Sequence, residues 1–169
     1  DLEELCLTLG SHMLVLGEKC QSLSQAAEIL KNIWREGKAL AKFQEMVSAQ
    51  GGPADISEDP EKYLVKAAWI ENICSDREGY INEIDTYTLG MLAGRLGAGR
   101  KVAGEAISPE VGLVLRKKLG SKVKPGDILC EIHARSPEDA ANVKDELRNA
   151  FIISSRYEKP PRLVKKVIS

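Results

Sequence analysis

Along residues 1–19 the apolar positions Leu2, Leu5, Cys6, Leu9, Met13 and Leu16 recur at helical spacing and define one stripe. Leu7 and Leu14 lie seven apart on another face, with Val15 beside them. A helix that is apolar on more than one side needs cover on more than one side, so the chain is expected not to contain every neighbour this helix requires. Gly10, in its middle, costs about 1 kcal/mol against Ala, and close approach of a neighbouring backbone is the expected justification.

Ser22 followed by Gln25 matches a capping box, and Leu23, Ala26, Ala27, Leu30, Ile33 and Trp34 then form the apolar face of a second helix, closed by Gly37. Ala39, Leu40, Phe43, Met46 and Val47 repeat the spacing in a third, ending at Gln50 before Gly51-Gly52-Pro53. Residues 51–62, polar and acidic with Pro53 and Pro60, read as a linker.

The period then changes. Residues 63–74 and 79–85 are rich in β-branched and aromatic side chains, with turn chemistry between them, and predict paired strands. Residues 86–96 predict a helix with Leu89, Leu92 and Leu96 inward. Residues 111–119 and 128–134 predict further strands around Gly120 and Pro125-Gly126. A helix is expected over 137–155, with Ser136 as N-cap and Pro137 in its first turn. Residues 162–168 read as a final strand. The fold class is thus α+β: a three-helix segment with its linker over 1–62, then an α+β domain over 63–169.

Composition and charge narrow the function classes. With 43% apolar residues in 169, the chain can close a core, and disorder is excluded as the main reading. Balanced charge, 24 basic against 25 acidic, disfavours nucleic acid as a partner. The balance hides a split, with a net excess of basic residues from 114 onward and of acidic residues before it. No stretch approaches the ~20 apolar residues of a membrane span and no leader pattern opens the chain, so no membrane partner is expected. Cys6, Cys20, Cys74 and Cys130 are scattered without a CxxC and read as reduced thiols of a cytoplasmic protein. The start at Asp1, already in helical pattern, suggests a piece of a longer protein.

Candidate chemistry is sparse. The loop Leu96-Gly97-Ala98-Gly99-Arg100-Lys101 combines glycines with cations, the ingredients of an anion site. Phosphate cradles precede a helix, however, whereas these glycines follow one. A helix C-cap with basic residues near the negative dipole end is the favoured reading, and an accessory anion contact the alternative. His12 and His133 stand in no metal-ligand spacing and read as a structural and a strand-end histidine, with acid or base work the lesser reading for His12. Glu83 and Asp85 share a strand face as a pair of carboxylates, but Asp85 is more economically the N-cap of the following helix. There is no GxSxG, no P-loop and no cysteine with a recognisable histidine partner.

Val111-Gly112-Leu113 and Gly120-Ser121-Lys122-Val123-Lys124-Pro125-Gly126-Asp127-Ile128-Leu129 have the cadence of a biotinyl or lipoyl half-barrel. A carrier needs an exposed lysine in a Met-Lys or Asp-Lys hairpin turn, which this sequence lacks, so the kinship is one of architecture.

Taken together, Asp1-Leu2-Glu3-Glu4-Leu5, Leu7-Thr8-Leu9-Gly10-Ser11-His12-Met13, Gly37-Lys38-Ala39-Leu40, Phe43 and Gln50-Gly51-Gly52 resemble the pyrimidine-nucleoside and thymidine phosphorylases. The resemblance continues through Ile81-Asn82-Glu83-Ile84-Asp85-Thr86, Leu89-Gly90-Met91, Leu96-Gly97-Ala98-Gly99-Arg100, Gly120, Val123, Gly126 and Ile132-His133-Ala134. It implies reversible phosphorolysis, pyrimidine nucleoside plus phosphate giving base and pentose 1-phosphate, by a homodimer whose helical and α/β lobes close on the substrates. It also implies that the Lys-His-Ser-Thr-Gly-Gly-type phosphate loop and the base-binding arginine, serine and lysine lie outside these residues. The match is to the last part of the family sequence: the three helices would be a remnant of the α/β lobe.

No catalytic, substrate-binding or metal residue is therefore assigned, and no cofactor; phosphate is a co-substrate of the parent enzyme. Two function classes follow. In one the chain is the non-catalytic C-terminal part of a nucleoside phosphorylase, a wall against which the catalytic lobe closes. In the other it is a stand-alone binding or interaction module.

Overall fold

The computed structural model describes residues 1–100 and 103–168 and divides the chain into two units: Asp1–Tyr63 with the residues from Pro161 on, and Leu64–Pro160. No helix among the described residues is long and apolar enough to cross a membrane.

The first unit holds α1 (Leu2–Leu16), α2 (Leu23–Arg35) and α3 (Lys38–Ala49). Ser22 Oγ accepts the Gln25 amide at 3.2 Å, and Gln25 Oε1 accepts the Gln21 amide at 3.1 Å, so the expected capping box forms with its return bond one residue early. Gly37, at φ 71°, makes the left-handed corner from α2 into α3. Gly10 lets α1 and α2 approach, and what fills its space is the Leu30 side chain rather than backbone: a Cβ there would sit 2.9 Å from Leu30 Cδ1. In residues 51–62, turns lead to one 3-10 turn at Pro60–Lys62, and the Asp55 carboxylate accepts from Tyr63 Oη at 2.6 Å and Lys62 Nζ at 3.1 Å.

The burial of α1 inverts its pattern. Of its apolar stripe, Leu2, Cys6, Leu9, Met13 and Leu16 are exposed and Leu5 is half-buried, while Ser11, half a turn away around the helix, is 4% exposed. Within residues 1–63 only Ser11, Cys20 and Ala26 are buried. Residues 163–168 run beside α1 without forming the expected strand, sharing a hollow of about 640 Å³ with Leu5, Leu9 and Leu16. Strand formation needs a partner edge, and residues 162–168 have none among the described residues.

The second unit carries the core. Strands β1 (Trp69–Cys74), β5 (Ile128–Ala134) and β3 (Gly112–Leu115) form one antiparallel sheet, with β5 central; β4 (Lys122–Val123), β2 (Gly79–Ile84) and β6 (Phe151–Ser154) form another around β2. Helices α4 (Thr86–Ala93) and α5 (Pro137–Asn149) supply Leu92, Val143 and Leu147 to a core shared with Ile73, Ile81 and Ile132. The unit is α+β, as the sequence implies.

Several boundaries differ from expectation. The strand expected over residues 111–119 is confined to Gly112–Leu115, because the chain bends after it toward Gly120. The strand expected from residue 63 starts at Trp69. α4 ends at Ala93 and continues as a wider turn through Ala98, closed by Gly97 at φ 111°. α5 stops at Asn149, and Phe151–Ser154, expected in the helix, is strand β6: a Phe-Ile-Ile run pairs with β2 once the helix has ended. The pairing carries a bulge at Asn82, whose Nδ2 donates to the Arg156 carbonyl at 3.0 Å.

Candidate functional site

The glycine–arginine loop is built as a helix ending. Gly97 is in the left-handed region, its carbonyl accepts the Ser108 amide at 2.9 Å, and a Cβ on it would meet Ser108 and Val111. Arg100 is exposed, and Lys101 lies outside the described residues. The Gly97 carbonyl at the end of the turn is thus already bonded, as in a helix ending.

The carboxylates Glu83 and Asp85 do not converge on a shared target. Asp85 Oδ1 accepts the Thr88 amide at 3.0 Å and Oδ2 accepts the Thr88 hydroxyl at 2.7 Å. These bonds cap α4, and the Thr88 amide above all holds the Asp85 carboxyl below its ordinary value. Glu83 is exposed on β2.

His133 belongs to a charged cluster that sequence reasoning did not assemble. On β5 it lies two residues from Glu131, hence on the same sheet face, with Nε2 at 3.4 Å from Glu131 Oε2. Arg116 donates Nε and Nη2 to the two Glu131 oxygens at 2.8 Å each. This paired fork is the main reason the Glu131 carboxyl is held below the usual carboxylate range, with His133 contributing less. The only signal in the sequence is strand alternation on β5; Arg116 joins because the chain turns back onto β5 just after β3. Across the fold, Lys144 on α5 pairs with Glu71 on β1.

A hollow of about 270 Å³ opens beside the β1–β2 turn, lined by Cys74, Ser75, Asp76, Arg77, Arg148 and the start of β6. Its charged groups are already partnered: Arg77 grips Asp76 through two bonds of 2.8 and 3.0 Å, and Arg148 pairs with Asp145 at 3.6 Å. The Ser75 hydroxyl donates to the Arg77 carbonyl at 2.7 Å. Among the described residues no group of three His, Cys, Asp or Glu side chains is arranged to hold a metal ion. All four cysteines are free, and burial pushes the Cys130 thiol up to about 11, the opposite of an activated nucleophile. His12 lies within α1, half-buried, far in sequence from His133 and in the first unit.

The two-sheet α+β unit pairs Arg77, Arg116, Lys144 and Arg148 with its own carboxylates. Residues 80–154 match the model of the pyrimidine nucleoside phosphorylase C-terminal domain. Over all 169 residues the chain is 40% identical to a pyrimidine-nucleoside phosphorylase of Geobacillus stearothermophilus, of which it covers 39%. It is 38% identical to one from Bacillus subtilis, covering 38% of that protein, and 32% identical over 166 residues to a thymidine phosphorylase of Burkholderia cenocepacia, where 98% of the chain aligns with 38% of the relative. The chain belongs to the pyrimidine-nucleoside phosphorylase family, corresponding to its C-terminal part. It spans about two fifths of the length of the curated relatives it matches.

Proposed function

We propose that this chain is the non-catalytic C-terminal part of a pyrimidine-nucleoside phosphorylase. The whole enzyme would convert a pyrimidine nucleoside and phosphate into the free base and a pentose 1-phosphate, acting as a cytoplasmic homodimer in nucleoside salvage. The observation that carries this reading is the 40% identity over the full 169 residues to a protein named for that activity.

Phosphorolysis requires donors and cations around phosphate, and polar groups that stabilise charge developing on the departing base. In the chain, Arg77, Arg116 and Arg148 are committed to carboxylate partners, and the Gly97 loop is a helix ending. Its contribution is therefore mechanical: a firm α+β body that forms a wall for the catalytic lobe. No cofactor is assigned to it, and phosphate enters as co-substrate of the whole enzyme. Turnover of uridine and thymidine with phosphate, followed for this polypeptide and for a longer one that includes the upstream coding sequence, tests the reading. Activity is expected only in the longer protein; turnover by the 169 residues alone would place the chemistry here and refute the assignment.

A further inference from the structure

Trp34 ends the apolar face of α2 and is nevertheless 46% exposed. It stands beside a hollow of about 420 Å³ whose other walls are Glu3, Lys31 and Arg35. Glu3 lies in the first turn of α1, and Trp34 and Arg35 close α2, so two helix ends of the first unit supply the lining. On α2, Lys31 is three residues from Trp34 and four from Arg35, which sets the indole and both cations on one side of the helix. Lys31 Nζ holds Glu28 Oε1 at 2.9 Å in an exposed pair, and Arg35 acts on the same carboxylate only through space. Glu3 and Arg35 carry opposite charges on one hollow, yet neither forms an ion pair with the other or with another described residue. The hollow is of the size that takes small organic ligands.

The geometry points to this hollow as a binding site for a nucleoside monophosphate, held by its flat ring, its ring N–H groups and its phosphate. The exposed indole of Trp34 offers a stacking platform, a contact every base can make because each has a π-face. The Glu3 carboxylate accepts hydrogen bonds and donates none, so it selects a ring edge that carries N–H groups, as nucleobases do. A phosphomonoester carries close to two negative charges near neutral pH, which matches Arg35 and Lys31 together. Arg35 brings the guanidinium fork suited to phosphate oxygens, and Lys31 a point charge on a flexible stem, released at small cost from its exposed pair with Glu28. A free aromatic amino acid would satisfy Trp34 and Glu3, but its single carboxylate leaves one of the two cations unmatched. This site lies outside the catalytic chemistry proposed above and does not depend on it.

Trp34 reports on its own site. The chain has two tryptophans, so in a Trp69→Phe background the indole fluorescence comes from Trp34 alone. Titration with uridine monophosphate is expected to quench it saturably. Arg35→Ala should weaken binding by at least about tenfold, and Lys31→Ala and Glu3→Ala by about three- to tenfold each. Lys42→Ala, an exposed control on α3, leaves it unchanged. Uridine, which lacks the phosphate, should bind at least about tenfold more weakly, and free phenylalanine should not compete. Equilibrium dialysis of the unsubstituted chain against the same nucleotide keeps the test open if Trp69→Phe disturbs β1. No saturable binding up to about 10 mM nucleotide, undiminished binding by Arg35→Ala and Glu3→Ala, or tighter binding of phenylalanine than of the nucleotide would overturn the assignment.

Discussion

The Leu30 side chain occupies the space that a Cβ on Gly10 would need, with Cδ1 2.9 Å from that position. The glycine therefore sets the closeness of α1 and α2. Two effects oppose each other when it is replaced: Ala gains about 1 kcal/mol of helix propensity, and Leu30 must move. Because the obstacle is the end of a flexible side chain, Gly10→Ala is expected to be close to neutral, and to become stabilising by up to about 1 kcal/mol in a Leu30→Ala background. Gly10→Ile, which cannot be absorbed that way, should cost about 1–3 kcal/mol. A double-mutant cycle read by hydrogen exchange across α1 checks this, and additive effects of the two alanine substitutions would contradict the geometry.

Burial should decide the response to truncation. Leu147→Ala removes a fully buried side chain of α5 and is expected to cost about 2–5 kcal/mol in urea unfolding of the second unit. The same change at Leu9, exposed on α1, should stay within about 0.5 kcal/mol in this chain. A large loss at Leu9 in the isolated chain would mean that the apolar stripe of α1 is covered within it.

The α4 cap predicts an acid limb. The Asp85 carboxyl is held below its ordinary value by the Thr88 amide and hydroxyl, so the folded state binds its proton less readily than the unfolded chain. The cap's contribution is then complete above the unfolded value of about 4 and is lost as pH falls through the folded value. Asp85→Asn keeps an oxygen that accepts from Thr88 but does not titrate, so stability near pH 7 should change little while the acid dependence flattens. Melting temperatures of both proteins between pH 3 and 7 on the order of the carboxylate range provide the comparison; parallel curves would argue against the cap as a source of acid sensitivity.

Glu131 offers a local test of the fork. Arg116→Ala should raise the Glu131 carboxyl toward its ordinary range, leaving only the weaker influence of His133. Carbon-detected titration of the glutamate side chains would read it, and an unmoved Glu131 midpoint would show that the paired geometry does not hold in solution.

What was legible in the sequence follows from how local each interaction is. Ser22, Asp85 and Ser136 were readable as caps because a cap joins a side chain to an amide three residues on. The strand–turn–helix rhythm around the buried Ile81, Leu92 and Ile132 was readable for the same reason, since period alone marks an element. Phe151–Ser154 was missed because its pairing with β2, some seventy residues earlier, decides its state. The row Leu2 to Leu16 was recognisable as helical, but which side of α1 is covered depends on neighbours that no periodicity reveals. Arg116 meeting Glu131 required the register of β3 on β5. For the candidate site, the sequence motifs indicated family membership and pointed to catalytic groups elsewhere; the ion pairs that occupy the arginines became visible only with the fold.

The route of the backbone has a mechanical consequence. The polypeptide leaves the helical unit after Tyr63, completes the α+β unit, and rejoins the helices from Pro161. Tension applied between Asp1 and Ile168 would load the helical unit, which holds both residues and is sparsely buried, before it is transmitted to the sheets.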